Sequence, residues 1–163
     1  MGQRKRNISS YTRFLAAPPV KVFPQLCPTR EYDWIEVWRC NLVHSDSGIA
    51  EGDCVFMTEG DGTSGPETWT CSRYEPPSRI DYVRMSAHRV VRLELRLEPA
   101  GAGTRLTVTH VMSALDDAGD AMVGACHAGT SEEHFKPLLI MLEHYLKTGK
   151  MLPRDKAMAA AAA

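Results

Sequence analysis

His110 is the residue of this chain best placed to do chemistry. Leu106, Val108, His110 and Met112 alternate with Arg105, Thr107, Thr109 and Val111, so a period of two puts the imidazole on the apolar face of a strand. There it could shuttle a proton or hydrogen-bond to a carbonyl, or simply sit satisfied in the core. Arg84, two residues from Tyr82 on the same face, is suited to a carboxylate or phenolate, with a solvated strand edge as the competing account. His88 and His134 are further polar candidates, whereas Glu94 lies opposite a leucine face and is expected in water. Around these groups the sequence offers an apolar wall. Trp34, Trp38, Phe56, Trp69 and Tyr82 supply its aromatic part, Leu93, Leu95 and Met112 its strand part, and Phe135, Leu138, Met141 and Leu142 its helical part. Such a wall suits a flat or greasy ligand, and plain core filling is the alternative for each member.

Other chemistries find less support. His127 and His134 stand seven residues apart, about 10 Å along a helix, which is too far to chelate one ion, so no metal site is expected. The glycines at 60, 62 and 65 lack the Lys-Ser or Lys-Thr of a phosphate loop, and no Gly-x-Ser-x-Gly elbow occurs. The reading calls for no cofactor. Five cysteines, Cys27, Cys40, Cys54, Cys71 and Cys126, are scattered without a C-x-x-C pair and read as buried, reduced thiols. The formal charge of −1 and the short basic cluster Arg4-Lys5-Arg6 give no nucleic-acid surface. No apolar run approaches the roughly 20 residues of a bilayer span, and the N-terminus lacks a secretory apolar core. These features predict a cytoplasmic protein without membrane insertion, monomeric or homodimeric.

The elements that must position the wall are legible as short strands followed by one long helix. Strands are predicted at Asn7–Leu15, Val37–His44, Gly52–Thr58, Thr68–Tyr74, Arg79–Met85, Val90–Glu98 and Thr104–Ser113. Their joints carry turn residues, as in Asp46-Ser47-Gly48, Glu59-Gly60-Asp61-Gly62-Thr63 and Glu75-Pro76-Pro77-Ser78, and are too short for parallel crossovers. An antiparallel meander follows. Two short helical pieces, Pro19–Cys27 and Thr29–Ile35, connect the first two strands. Residues 116–129 read as a loop followed by a loose first portion of the final helix. That helix is predicted over Thr130–Thr148 from the spacing of Phe135, Leu138, Leu139, Leu142, Tyr145 and Leu146, with a capping box at Thr130 and Glu133 and a stop at Gly149. Pro137 is expected to bend it near Glu133. Residues 1–152 form one domain, and 153–163 a disordered or loosely helical tail without an anchor.

The order of strand, two short helices, six strands and long helix resembles the START-like, or SRPBCC, superfamily. The stretches Arg30-Glu31-Tyr32-Asp33-Trp34-Ile35, His44-Ser45-Asp46-Ser47-Gly48-Ile49-Ala50-Glu51, Glu67-Thr68-Trp69 and His134-Phe135-Lys136-Pro137-Leu138-Leu139 look like those of small bacterial members labelled polyketide-cyclase-like, as does Tyr145-Leu146-Lys147-Thr148-Gly149-Lys150. The resemblance runs from about Ile8 to Leu152. It implies an α+β helix-grip fold, a seven-stranded antiparallel curved sheet around a long C-terminal helix, but no particular chemistry, because the superfamily holds carriers, binders and enzymes alike. Two functions follow. One is carriage or sequestration of a small hydrophobic or aromatic molecule between sheet and helix; the alternative is a cyclase or aromatase in which His110 is acid or base. A partner-docking role is disfavoured by the mixed charge of the wet face. Both leading readings require a void of roughly 300 Å³ or more between sheet and helix.

Overall fold

The computed structural model describes residues 2–60, 62 and 64–163, so Asp61 and Thr63 of the Glu59–Thr63 turn lie outside the described residues. Seven antiparallel strands form one sheet in the order β1-β7-β6-β5-β4-β3-β2. They are β1 (Arg6–Leu15), β2 (Asn41–His44), β3 (Val55–Thr58), β4 (Glu67–Glu75), β5 (Arg79–Met85), β6 (Arg89–Ala100) and β7 (Gly103–Ala114). Only the first and last-formed strands are non-sequential neighbours. All the others are joined by the short turns that the sequence predicts. On β6 the alternation is strict: Leu93, Leu95 and Leu97 are buried on the concave face, while Arg92 and Arg96 are exposed. The convex face is held by polar cross-strand pairs, with Ser10 bonded to Thr109 at 2.8 Å and Thr12 to Thr107 at 2.9 Å.

The connector after β1 consists of α1 (Pro19–Val22), a 3-10 turn at Phe23–Leu26 and a second at Glu31–Asp33. Pro18 and Pro19 open α1 where missing amide hydrogens cost nothing. Two strands start later than predicted, for local reasons. The Tyr32 hydroxyl donates to the Cys40 carbonyl (2.8 Å) and accepts from the Cys40 amide (2.9 Å), so the backbone before Asn41 is taken and cannot join a ladder. Before Val55, Asp53 adopts a φ of 66° and both Asp53 and Cys54 face Cys71, an extra residue that delays regular pairing. In the preceding loop the organising group is Glu51 rather than Asp46. Its carboxylate accepts from the Ser47 hydroxyl, the Ser45 hydroxyl at 2.7 Å and the Asp46 amide at 2.5 Å, and the Ser47 hydroxyl first, then that of Ser45, holds its pKa down to about 2.

Residues 116–129, read from sequence as loop and loose helix, contain a separate helix, α2 (Asp117–Gly124). Asp116 caps it, accepting from the Gly119 amide at 2.8 Å while also binding His88 Nδ1 at 2.8 Å. Helix α3 (Thr130–Thr148) has the predicted limits and runs unbroken through Pro137. Its first turn differs from the predicted capping box: Gly129 is the N-cap, and the Thr130 hydroxyl instead accepts from the His127 amide at 2.9 Å. Gly149 closes it at a φ of 66°, its amide bonded to the Tyr145 carbonyl at 2.7 Å. Buried Ser131 ties α3 to β1, donating to the Ser9 carbonyl at 2.9 Å, and Arg13 pairs with Glu143 at 2.7 Å. The expected loose tail is helix α4 (Arg154–Ala162), packed on α3 with Ala157 completely buried.

Docking of α2 leaves no room at Gly119, where an added Cβ would stand 2.0 Å from the His88 carbonyl oxygen. Backbone cannot yield as a flexible side chain can. Gly119→Ala is therefore expected to lower the unfolding free energy by about 2 kcal/mol or more despite alanine's better helix propensity, measured by urea denaturation. Stability equal to the parent protein would show that α2 does not dock as closely as described.

Candidate functional site

The concave face of the sheet does not meet α3 everywhere. Between them lies a cavity of about 610 Å³. Its floor is the paired row Phe56, Trp69 and Arg84 on β3, β4 and β5, next to the row Tyr82, Leu93 and His110 on β5, β6 and β7. The roof is the face of α3 carrying His134, Phe135, Leu138 and Met141, with Pro137 beside them. The connector closes one side with Glu31, Trp34 and Trp38, and Arg154 and Met158 of α4 reach the rim.

Ten of the twelve wall candidates thus line one cavity. Two do not. Met112 pairs with Val91 in the same row as Arg84, two strands further on, and there the concave face is covered by α2, so Met112 packs with Val123 and Ala114 in a separate small core. Leu142 is fully buried in the main core rather than on the cavity wall. Of the polar candidates, His134 lines the cavity. His88 stands outside it on Asp116, and Glu94 lies on the other face, paired with Arg79 at 3.3 Å and Arg92 at 2.7 Å.

The aromatic groups are fixed at their polar edges. Tyr82 donates its hydroxyl to the Leu26 carbonyl (3.0 Å), Trp34 its indole N–H to the Gln25 carbonyl (3.0 Å), Trp38 to the Pro28 carbonyl (2.8 Å) and Trp69 to the Thr58 hydroxyl (3.1 Å). Phe56 stacks on Trp69 with ring centres 5.3 Å apart, and Tyr82 meets both edge-on at 5.8 and 6.2 Å. With their donors taken, these rings offer apolar and π surface.

A charged cluster adjoins them. Glu67, nearly wholly buried, receives Arg84 at 3.0 Å and Arg89 at 3.4 Å, and the Arg84 guanidinium lies 5.0 Å from the Trp69 ring centre. Arg84 is therefore committed to a protein carboxylate. His110 sits beyond it, 4.7 Å from the Phe135 ring and 5.7 Å from that of His134, with no hydrogen bond to its buried Nδ1 among the described residues. Burial first, then the charges of Arg84, His134 and Arg89, press its pKa down to about 2. The imidazole is neutral at physiological pH. At the other end, Glu31 faces the cavity, and burial alone pushes its pKa up to about 8. No group of three His, Cys, Asp or Glu among the described residues could hold a metal ion, and no helix among them is long and apolar enough to cross a membrane.

Sequence reading missed Glu67, Arg89 and Glu31. Glu67 shares parity with Trp69 and Cys71, so extending β4 by one residue would have put it on the inner face. Glu31 carries no such signal, because a 3-10 turn has no two-residue period.

Two outcomes follow for these carboxylates. Glu67→Gln, which removes the charge between two buried guanidiniums, is expected to destabilise the fold by about 3 kcal/mol in chemical denaturation, against roughly 0.5 kcal/mol for Glu98→Gln on the exposed side of β6. For Glu31 the folded pKa lies above the ordinary carboxylate value, so the stability that its protonated form retains is complete below about pH 4.5 and is lost as pH rises towards 8. Melting temperatures across that interval should fall more steeply for the parent protein than for Glu31→Gln. Parallel profiles would show that Glu31 is ordinarily solvated.

The sequence family described as activator of Hsp90 ATPase homolog 1-like protein matches residues 16–143. Among curated proteins, none matches the chain. Solved structures with the same architecture include an uncharacterized protein from Rhizobium leguminosarum, at 17% identity and a TM-score of 0.63 over 88% of this chain and 95% of that one. CalU16 from Micromonospora echinospora gives 16% identity and 0.58 over 98% and 94%, and the Aha1 dimer from Colwellia psychrerythraea 16% and 0.60 over 88% and 98%. At these identities the likeness shows the fold alone, the helix-grip architecture of a curved antiparallel sheet around a long C-terminal helix. With more than half of its length matched, the chain belongs to the activator of Hsp90 ATPase homolog 1-like family.

Proposed function

We propose that this protein binds a small hydrophobic molecule with a flat or aromatic body in the cavity between sheet and α3, and carries or sequesters it in the cytoplasm. The observation that supports this reading is the cavity itself. Its 610 Å³ falls within the 300–1,000 Å³ usual for small-molecule sites, and aromatic and aliphatic side chains make up most of its walls, with charged groups and two histidines among them. The pinned rings of Trp34, Trp38, Trp69 and Tyr82 cannot swing in to fill it without breaking a hydrogen bond each, at about 1 kcal/mol or more.

Catalysis by His110 is the weaker alternative. A general acid or base works best with a pKa near the operating pH, and this imidazole is held down to about 2. As a neutral group it serves instead as a hydrogen-bonding contact for a guest.

Binding can be tested with N-phenyl-1-naphthylamine, an uncharged dye that brightens in apolar surroundings. Saturable enhancement is expected for the parent protein, and Leu138→Trp, which places a larger side chain on the roof, should weaken it about tenfold, or 1.4 kcal/mol, while cooperative unfolding is retained. A dye that does not bind, or that binds the tryptophan variant equally well, would overturn the proposal.

A further inference from the structure

The aromatic end of the cavity carries a carboxyl group that is ion-paired with no described residue. Glu31 opens its 3-10 turn, faces the cavity, and makes no side-chain hydrogen bond or ion pair with any described residue. The charged groups around it are engaged elsewhere. Arg30 pairs with Asp33 at 3.7 Å, Arg39 donates to the Trp38 carbonyl at 2.5 Å, and Glu36 accepts from the Arg154 amide at 2.9 Å. Across the cavity, Arg84 is held by Glu67. Glu31 and Tyr82 of β5 line the same cavity, and burial first, then the charge of Glu31, raises the pKa of Tyr82. The other charged or titratable groups on the lining are Glu59, Glu67, Glu133 and the Arg154 guanidinium, together with His134 of α3 and His110.

A carboxylate draws cations by charge, and the faces of Trp and Tyr draw them through the ring quadrupole. The indole N–H and phenol O–H donors that might favour an anion are already bonded to protein acceptors. Both features of this end therefore ask for the same guest. A lone carboxyl in an apolar cavity also costs stability, which is the pattern of a group kept for a ligand.

We propose that the cavity takes an organic ammonium ion with an aromatic or aliphatic body, its cationic head beside Glu31 and Tyr82 and its body along Phe56 and Trp69. This rests on the reading of the cavity as a binding site and narrows its guest. Where Glu31 is ionised, above about pH 8, fatty acids and other anions would meet it with like charge, and neutral aromatics would gain nothing from it.

The test compares phenethyltrimethylammonium, whose charge is fixed at all pH values, with its uncharged carbon isostere (3,3-dimethylbutyl)benzene, each competing with N-phenyl-1-naphthylamine. At pH 8.5 the cation should bind about tenfold more tightly than the isostere, and its advantage should shrink towards pH 6 as a proton occupies Glu31. In Glu31→Gln the ratio of cation to isostere affinity should fall to about one at every pH, each measured on that same variant. Equal affinity of the pair for the parent protein, or an advantage that survives in Glu31→Gln, would overturn the proposal and leave the binding reading standing. Failure of dye and isostere alike would instead remove the binding reading and this inference with it.

Discussion

Four hydrogen bonds from aromatic side chains keep the interior of this protein open. Trp34, Trp38 and Tyr82 are tied to carbonyl groups of the connector after β1, and Trp69 to a hydroxyl on β3. Each bond fixes by its edge a large ring that lines the void. A side chain held this way fills its own place and no other, whereas an unanchored Leu or Met would relax into empty space. The connector in turn depends on the sheet, because Tyr82 of β5 supplies the hydroxyl that holds Leu26. Sheet, connector and cavity are one mechanical unit.

The ends of the concave face show what happens without this pinning. Beyond Arg84 the row continues through Val91 to Met112, and α2 lies directly on it with Val123 and Ala114 packed against both. That part is solid core. The buried cluster of Glu67, Arg84 and Arg89 stands at the border between the two regimes and walls the cavity from the small core. Glu67 pairs with both guanidiniums, which is why Arg84, so close to the void, is not a free anchor for a carboxylate guest.

Much of this was written plainly in the sequence. The leucine alternation of β6 and the apolar spacing and Gly149 stop of α3 are strong local signals, and β5 and α3 match their predicted limits. Parity also put His110 and Tyr82 on the inner face. What parity cannot supply is depth along a strand. His110 and Met112 share a face, yet one lines the cavity and the other lies under α2, a distinction set by a helix that the glycine-rich segment concealed. The late start of β2 has a similar origin, since it depends on a hydroxyl eight residues upstream of Cys40 that no propensity records. Glu31 was invisible for a third reason: its environment is assembled from a turn, β5 and the segment at Cys40, so its chemistry exists only in the folded chain.

Helix α4 carries a consequence of its own. Its Ala157 is anchored in the main core while Met158, the next residue, stands at the cavity rim. A guest resting on that methionine would share its binding free energy with the docking of the final nine-residue helix. Occupancy and order at the C-terminus are thereby coupled, and slowed amide exchange along residues 154–162 becomes a label-free gauge of how full the interior is.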